Sequence, residues 1–140
     1  MPTRPVAGDF IDPSEEGLFD QDGLATGFFY YRQCDLASDV FFDDIGMGVR
    51  ERHALQRSNF AATASLEIFN PVRHGESVTF DVSVIRVGTK SMTYRIRMNS
   101  VGDGALRAVV ESVGVCMDMA AGRPMALPDE VKARIQAYLE

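Results

Sequence analysis

The chain has 140 residues, 46% of them apolar and 24% charged, with no tryptophan and a formal net charge of −6. That length predicts one domain, residues 1–140, able to bury a core without metals or disulfides, and excludes most two-domain enzymes. No apolar stretch approaches the ~20 residues that cross a bilayer. Met1-Pro2-Thr3-Arg4-Pro5 lacks the apolar core of a secretory signal, so a cytoplasmic protein with no membrane partner is expected. Cys34 and Cys116 stand far apart with no Cys-x-x-Cys or Cys/His cluster. They read as buried, reduced thiols and not as a metal site. Residues 1–44 carry ten acids against Arg4 and Arg32, whereas the rest of the chain is slightly basic. No Lys/Arg run occurs, so no nucleic-acid partner is expected.

Residues 1–19 are rich in Pro, Gly and acid and read as a lead-in, irregular over 1–16, with at most a short strand near Glu16–Phe19. From Gly27 to Ile45 no proline interrupts, and Phe28, Phe29, Tyr30, Tyr31, Leu36, Val40, Phe41 and Phe42 lie on more than one side. This predicts a largely buried helix over 28–45, with Thr26 as N-cap and Gly46 as its stop. A polar connection, Arg50–Arg57, follows. The period then changes to two, predicting strands near 58–69, 78–87, 91–100 and 105–117. Phe60, Ala62, Ala64, Leu66 and Ile68 are the expected core face of the first. In the last, Gly114 marks a bulge or a close backbone approach. Gly88-Thr89-Lys90 and Gly102-Asp103-Gly104 suit antiparallel hairpins. Pro128-Asp129-Glu130 opens a short helix with Val131, Ile135, Tyr138 and Leu139 as its apolar stripe. The predicted class is α+β: an antiparallel sheet wrapped around one long central helix, plus a short C-terminal helix.

Three segments carry more than secondary structure. Asp20-Gln21-Asp22-Gly23 leads through Leu24-Ala25-Thr26-Gly27 into Phe29-Tyr30-Tyr31-Arg32, and the helix closes on Ile45-Gly46. Asn70-Pro71-Val72-Arg73-His74-Gly75-Glu76 links two strands, and Val87-Gly88-Thr89-Lys90-Ser91 makes a hairpin. In this order they resemble the Asp-x-x-Gly turn, the Pro-x-x-x-Gly-Asp/Glu turn and the Gly-x-x-Ser hairpin of the hotdog-fold thioesterases, in the branch typified by 4-hydroxybenzoyl-CoA thioesterase. The resemblance implies a hotdog fold that hydrolyses acyl-CoA to free acid and CoA. It implies no metal and no cofactor, CoA being part of the substrate. It also implies a homodimer or homotetramer with sheets joined edge to edge and sites shared between subunits.

Asp20 is the carboxylate the resemblance makes catalytic, as base or nucleophile, with the Gly27 N–H as oxyanion donor. Read without it, Asp-x-Asp-Gly is a turn, and Asp22 directly before Gly23 suits the turn role best. Thr26, Phe28 and Tyr30 are candidate substrate contacts and Phe28 to Tyr31 candidate acyl-pocket lining, though aromatic residues in a buried helix also read as plain core. Arg73, Arg86 and Lys90 are candidate contacts for the CoA phosphates, or a solvated face. His53 and His74 fall in polar stretches and read as surface residues, which disfavours a hydratase or dehydratase. A non-catalytic acyl-thioester binding protein is the other reading. The acyl group is expected to be short or aromatic.

Overall fold

The computed structural model describes residues 4–7 and 16–140. Alternation of large apolar and polar residues decides most of it. Strands β2 (Arg57–Ile68), β3 (Val78–Val87), β4 (Ser91–Ser100) and β5 (Leu106–Asp118) follow the predicted bounds within a residue or two. Two short strands join them, β1 (Arg4–Ala7) and β6 (Arg123–Pro124). The sheet is antiparallel throughout, in the order β1-β3-β4-β5-β2, with β6 beside the end of β5. The expected irregular lead-in is therefore corrected at Arg4–Ala7, which pairs with Thr79–Val82. Near Glu16–Phe19 only an isolated Phe19–Ala25 bridge forms.

Helix α1 (Gly27–Asp44) packs against β2, β3, β4 and β5. Its buried side carries Phe29, Tyr30, Cys34, Ala37, Phe41 and Phe42. They meet Phe80, Val82, Val84, Met92, Ile96 and Met98 from the inner face of the sheet. Burying each such side chain stabilises the fold by about 1.5–3 kcal/mol. The left-handed Gly46, at φ +81°, ends the helix where the sequence predicts. Two expectations fail here for one reason. Phe28, Tyr31 and Val40 on α1 are 47%, 40% and 44% exposed, so a second side of the helix stays uncovered. On β2, Phe60 and Ile68 are 40% and 45% exposed, so of its expected core face Leu66 packs against the core while both ends do not. β2 is an edge strand, and among the described residues that face is left largely uncovered, with the Arg52 guanidinium 5.8 Å from the Phe60 ring centre.

The Arg50–Arg57 stretch is corrected as well, since it contains helix α2 (Val49–Leu55). The Gly48 N–H donates to Glu51 Oε1 at 3.2 Å, which satisfies one free donor at its start. No residue of α2 is buried, so it leaves no apolar stripe to read. Helix α3 (Asp129–Ile135) and the 3₁₀ turn Gln136–Tyr138 close the fold. Val131, Ile135 and Tyr138 are buried, and the Tyr138 ring lies edge-on to Phe41 at 4.8 Å. Among the described residues no helix is long and apolar enough to cross a membrane.

Gly114 meets both readings of its place in β5. The β2–β5 register shifts between Ala61 and Thr63, opposite Gly114 and Val113. A Cβ at Gly114 would stand 2.7 Å from Asn59 Cγ. We therefore expect Gly114→Ala to displace Asn59 and destabilise the protein by about 1–3 kcal/mol, the usual penalty of overpacking. Thermal melts of Gly114→Ala alone and combined with Asn59→Ala check this. The double variant should regain most of the loss.

Candidate active site

The Asp20 turn is built by its own backbone. Asp20 N–H donates to Leu24 O at 2.8 Å and Gly23 N–H to Asp20 O at 3.0 Å. Gly23, at φ +78°, supplies the left-handed residue the turn needs. The Asp20 carboxylate takes part: Oδ1 accepts the N–H groups of Asp22 at 2.9 Å and Leu24 at 3.0 Å. The side chain that closes the turn is thus Asp20, and not Asp22 as the sequence suggests. Asp20 is exposed, and its hydrogen bonds fix the direction in which its second oxygen points.

Just beyond the turn, α1 begins. Thr26 stands at the N-cap without capping, because its hydroxyl donates backwards to Gly17 O at 2.5 Å and Leu18 O at 3.2 Å. The first N–H groups of α1 are consequently left without a side-chain acceptor, and they sit at the positive end of the helix dipole. Gly27 is exposed, and a Cβ on it would find nothing within 4 Å among the described residues. A carboxylate on a rigid turn next to free helix N–H groups can activate water or attack a carbonyl, and the N–H groups can hold the oxyanion that forms.

The 70–76 loop backs this turn. Ala25 N–H donates to Val72 O at 2.8 Å, His74 N–H donates to Gly23 O at 2.8 Å, and Leu24 bridges Arg73. The exposed His74 ring stands edge-on to Phe19 at 4.9 Å. Tyr30 belongs to the same joint. It is 1% exposed and its hydroxyl accepts the Val72 N–H at 2.9 Å, so its place in this chain is the core. The Thr26 hydroxyl is likewise already engaged, whereas Phe28 is exposed at the helix start.

The candidate phosphate contacts are not together. Arg73 is exposed beside the Asp20 turn. Arg86 and Lys90 lie at the far end of β3, and ten strand residues span roughly 33 Å. One chain does not bring all three cations to Asp20.

Apart from Tyr31, residues that the sequence did not single out for the site line the helix further on. A cavity of about 80 Å³ includes Tyr31, Cys34, Asp35, Ser38, Tyr94 and Ser112. Tyr31 is one helical turn beyond Gly27, so the cavity lies along α1 from the free N–H groups. A second cavity, about 350 Å³, includes Asp39, Phe42, Asp43, Ser58 and Asn59. Burial raises the Asp39 carboxyl above its usual range, with Asp35 and Asp43 adding to the shift and Arg32 opposing it. Burial also raises the Tyr94 phenol, against hydrogen bonds from Ser112 and Asn59. The signal in the sequence is the spacing of Asp35, Asp39 and Asp43, four residues apart on one helix side. Among the described residues no group of three or more His, Cys, Asp or Glu could hold a metal ion.

Comparison with known proteins fits this architecture. The profile of the thioesterase-like superfamily matches residues 27–135, and the chain belongs to that superfamily. Its antiparallel sheet with helices matches the hotdog fold of these proteins. A Staphylococcus aureus protein in complex with CoA is 15% identical with a TM-score of 0.82, over 98% of this chain and 82% of that one. A Thermus thermophilus thioesterase complexed with coenzyme A and Zn is 21% identical with a TM-score of 0.77, over 98% of this chain and 93% of that one. A Synechocystis 1,4-dihydroxy-2-naphthoyl-CoA thioesterase is 12% identical with a TM-score of 0.75, over 96% of this chain and 94% of that one. No curated protein matches.

Burial pushes the Cys34 thiol up to about 12, with Asp35 adding to the shift, and Cys116 is raised by burial too. The thiolate is the reactive form, so both cysteines should be slow in the native protein. With a chromogenic disulfide reagent at pH 8, we expect almost no labelling of folded protein and two thiols per chain in urea. Rapid native labelling of Cys34 would mean that its cavity opens.

Proposed function

We propose that the protein is a cytoplasmic acyl-CoA thioesterase. It hydrolyses an acyl-CoA to a free acid and CoA, with α1 as the central helix of the hotdog fold. The observation that carries this reading is the Asp20 carboxylate on a pinned turn immediately before the uncapped start of α1. The thioester carbonyl oxygen accepts the Gly27 N–H. Asp20 then acts as general base for water or as nucleophile on the carbonyl carbon. In the first route it takes a proton from water, the hydroxide adds, and the tetrahedral oxyanion collapses to expel the CoA thiolate, which takes up the proton. In the second the carboxylate adds to the carbonyl carbon, and the C–S bond breaks to expel the CoA thiolate and leave an acyl-aspartyl anhydride. Water cleaves that to the free acid and the Asp20 carboxylate, the water's second proton going to the thiolate. The cavity beyond Tyr31 would take a small acyl group, short or aromatic.

Asp20→Asn keeps an oxygen for the Asp22 and Leu24 N–H groups while removing charge and basicity. We expect kcat to fall about 10²-fold or more, the scale of general acid–base catalysis, with folding retained. Asp22→Asn should change kcat little. Release of free thiol from a panel of acyl-CoAs measures both. Hydrolysis of none of the panel would favour the second reading, an acyl-thioester binding protein. That reading draws support from the engagement of Asp20 Oδ1 in its own turn.

The separation of Asp20 from Arg86 and Lys90 favours a site shared by two copies, in a homodimer or homotetramer. The uncovered Phe28, Tyr31, Val40 and Phe60 side chains and the open β2 edge point the same way. Neutralising Arg86 and Lys90 should raise KM for acyl-CoA much more than it lowers kcat, because the nucleotide end is held alike in ground and transition states. A pantetheine thioester should not feel the change. Light scattering should show a dimer or larger; a monomer at micromolar concentration would contradict the shared site.

A further inference from the structure

β5 opens with an irregularity. Met98 pairs with Ala108 and Asn99 with Leu106, which leaves Arg107 unopposed. An extra residue in a ladder re-aims its side chain, and Arg107 is 7% exposed within an otherwise apolar run. Its carbonyl accepts the N–H groups of Phe69 at 2.8 Å and Asn70 at 3.0 Å. Its guanidinium donates to Asn70 O at 2.9 Å, to Pro71 O, to Ser100 Oγ at 2.8 Å, and to Glu76 Oε1 and Oε2 at 3.0 and 3.3 Å. All five donors of the fork are used, and one side chain holds both ends of the 70–76 loop. Glu76 Oε1 also accepts the Arg73 N–H at 2.6 Å. The middle of that loop carries the Val72 carbonyl and His74 N–H that hold Ala25 and Gly23.

We propose that Arg107, through Glu76 and the 70–76 loop, is a positioning residue for the Asp20 turn. This inference rests on the reading of Asp20 as the catalytic carboxylate. Arg107 touches neither Asp20 nor the open space at Gly27. It fixes the loop, the loop fixes residues 23–25, and the Leu24 N–H fixes Asp20 Oδ1. A lysine fills much of the same volume, yet a single ammonium cannot reproduce the planar fork. Loss of the fork therefore frees the turn without emptying the core.

The test uses Arg107→Lys and Glu76→Gln in the full chain, each alone and combined with Asp20→Asn. Glu76 is the milder site, its side chain being 42% exposed, and it carries the test if Arg107→Lys does not fold. We expect Arg107→Lys to lower kcat on a short acyl-CoA about tenfold or more with KM nearly unchanged, as a small misplacement of a reacting group does. On the Asp20→Asn background the same change should cost less than about twofold, because the two act as one unit. Glu76→Gln should move in the same direction by a smaller factor. Amide hydrogen exchange at Leu24, Ala25 and His74 should quicken about tenfold while Ile96 in β4 is unchanged. Equal losses on both backgrounds, or unaltered exchange at those three amides, would overturn the positioning role. Hydrolysis that depends on Asp20 but ignores Arg107→Lys and Glu76→Gln would overturn it while leaving the site intact. Hydrolysis untouched by Asp20→Asn would overturn the reading of the site, and the positioning role with it.

Discussion

The joint between residues 23–25 and 72–74 is what the rest of the site depends on. Two backbone hydrogen bonds of 2.8 Å hold a short irregular turn against the loop that enters β3. A turn this short fixes several backbone angles for few bonds of its own, so its own stability is small. It keeps one conformation because Tyr30 in α1 holds Val72 from inside and Leu18 is buried beneath it. Precision at Asp20 is thus borrowed from the core through backbone contacts.

That arrangement explains why α1 starts as it does. A threonine at the N-cap ordinarily satisfies a free N–H of the first turn. Here Thr26 instead ties Gly17 and Leu18 to the helix start, leaving the N–H groups for something else. Capping would make a steadier helix; the donors left free are the ones the proposed mechanism gives to the developing negative charge. The 18-residue helix does not need the cap, because its buried side is anchored on the sheet over most of its length.

Much of this was legible in the sequence, for definite reasons. β3 and β4 show clean alternation because one face meets α1 and the other meets polar partners such as Asp81, Arg95 and Arg97. Gly46 and Pro128 mark helix boundaries through backbone geometry that few other residues allow. α2 left no trace, since none of its residues is buried. β1 is short and begins beside a proline that offers no N–H to a ladder. β2 misled because its alternation is real but, as an edge strand, it leaves Phe60 and Ile68 largely exposed among the described residues. Arg107 was invisible for a different reason: only the register shift in β5 turns an arginine in an apolar run toward the loop. The Asp20 motif was visible, but which aspartate closes the turn depends on hydrogen bonds that spacing alone does not specify.

In the proposed mechanism the N–H groups at the start of α1 receive the thioester oxygen beside Asp20. NMR titration of the full chain with an acyl-CoA analogue whose sulfur is replaced by CH₂ reads this directly, because the analogue keeps the carbonyl and cannot be hydrolysed. The Gly27 amide resonance should shift downfield on saturation, with Leu24 moving less and the β4 amides still. Saturable binding that leaves the Gly27 amide where it was would contradict it.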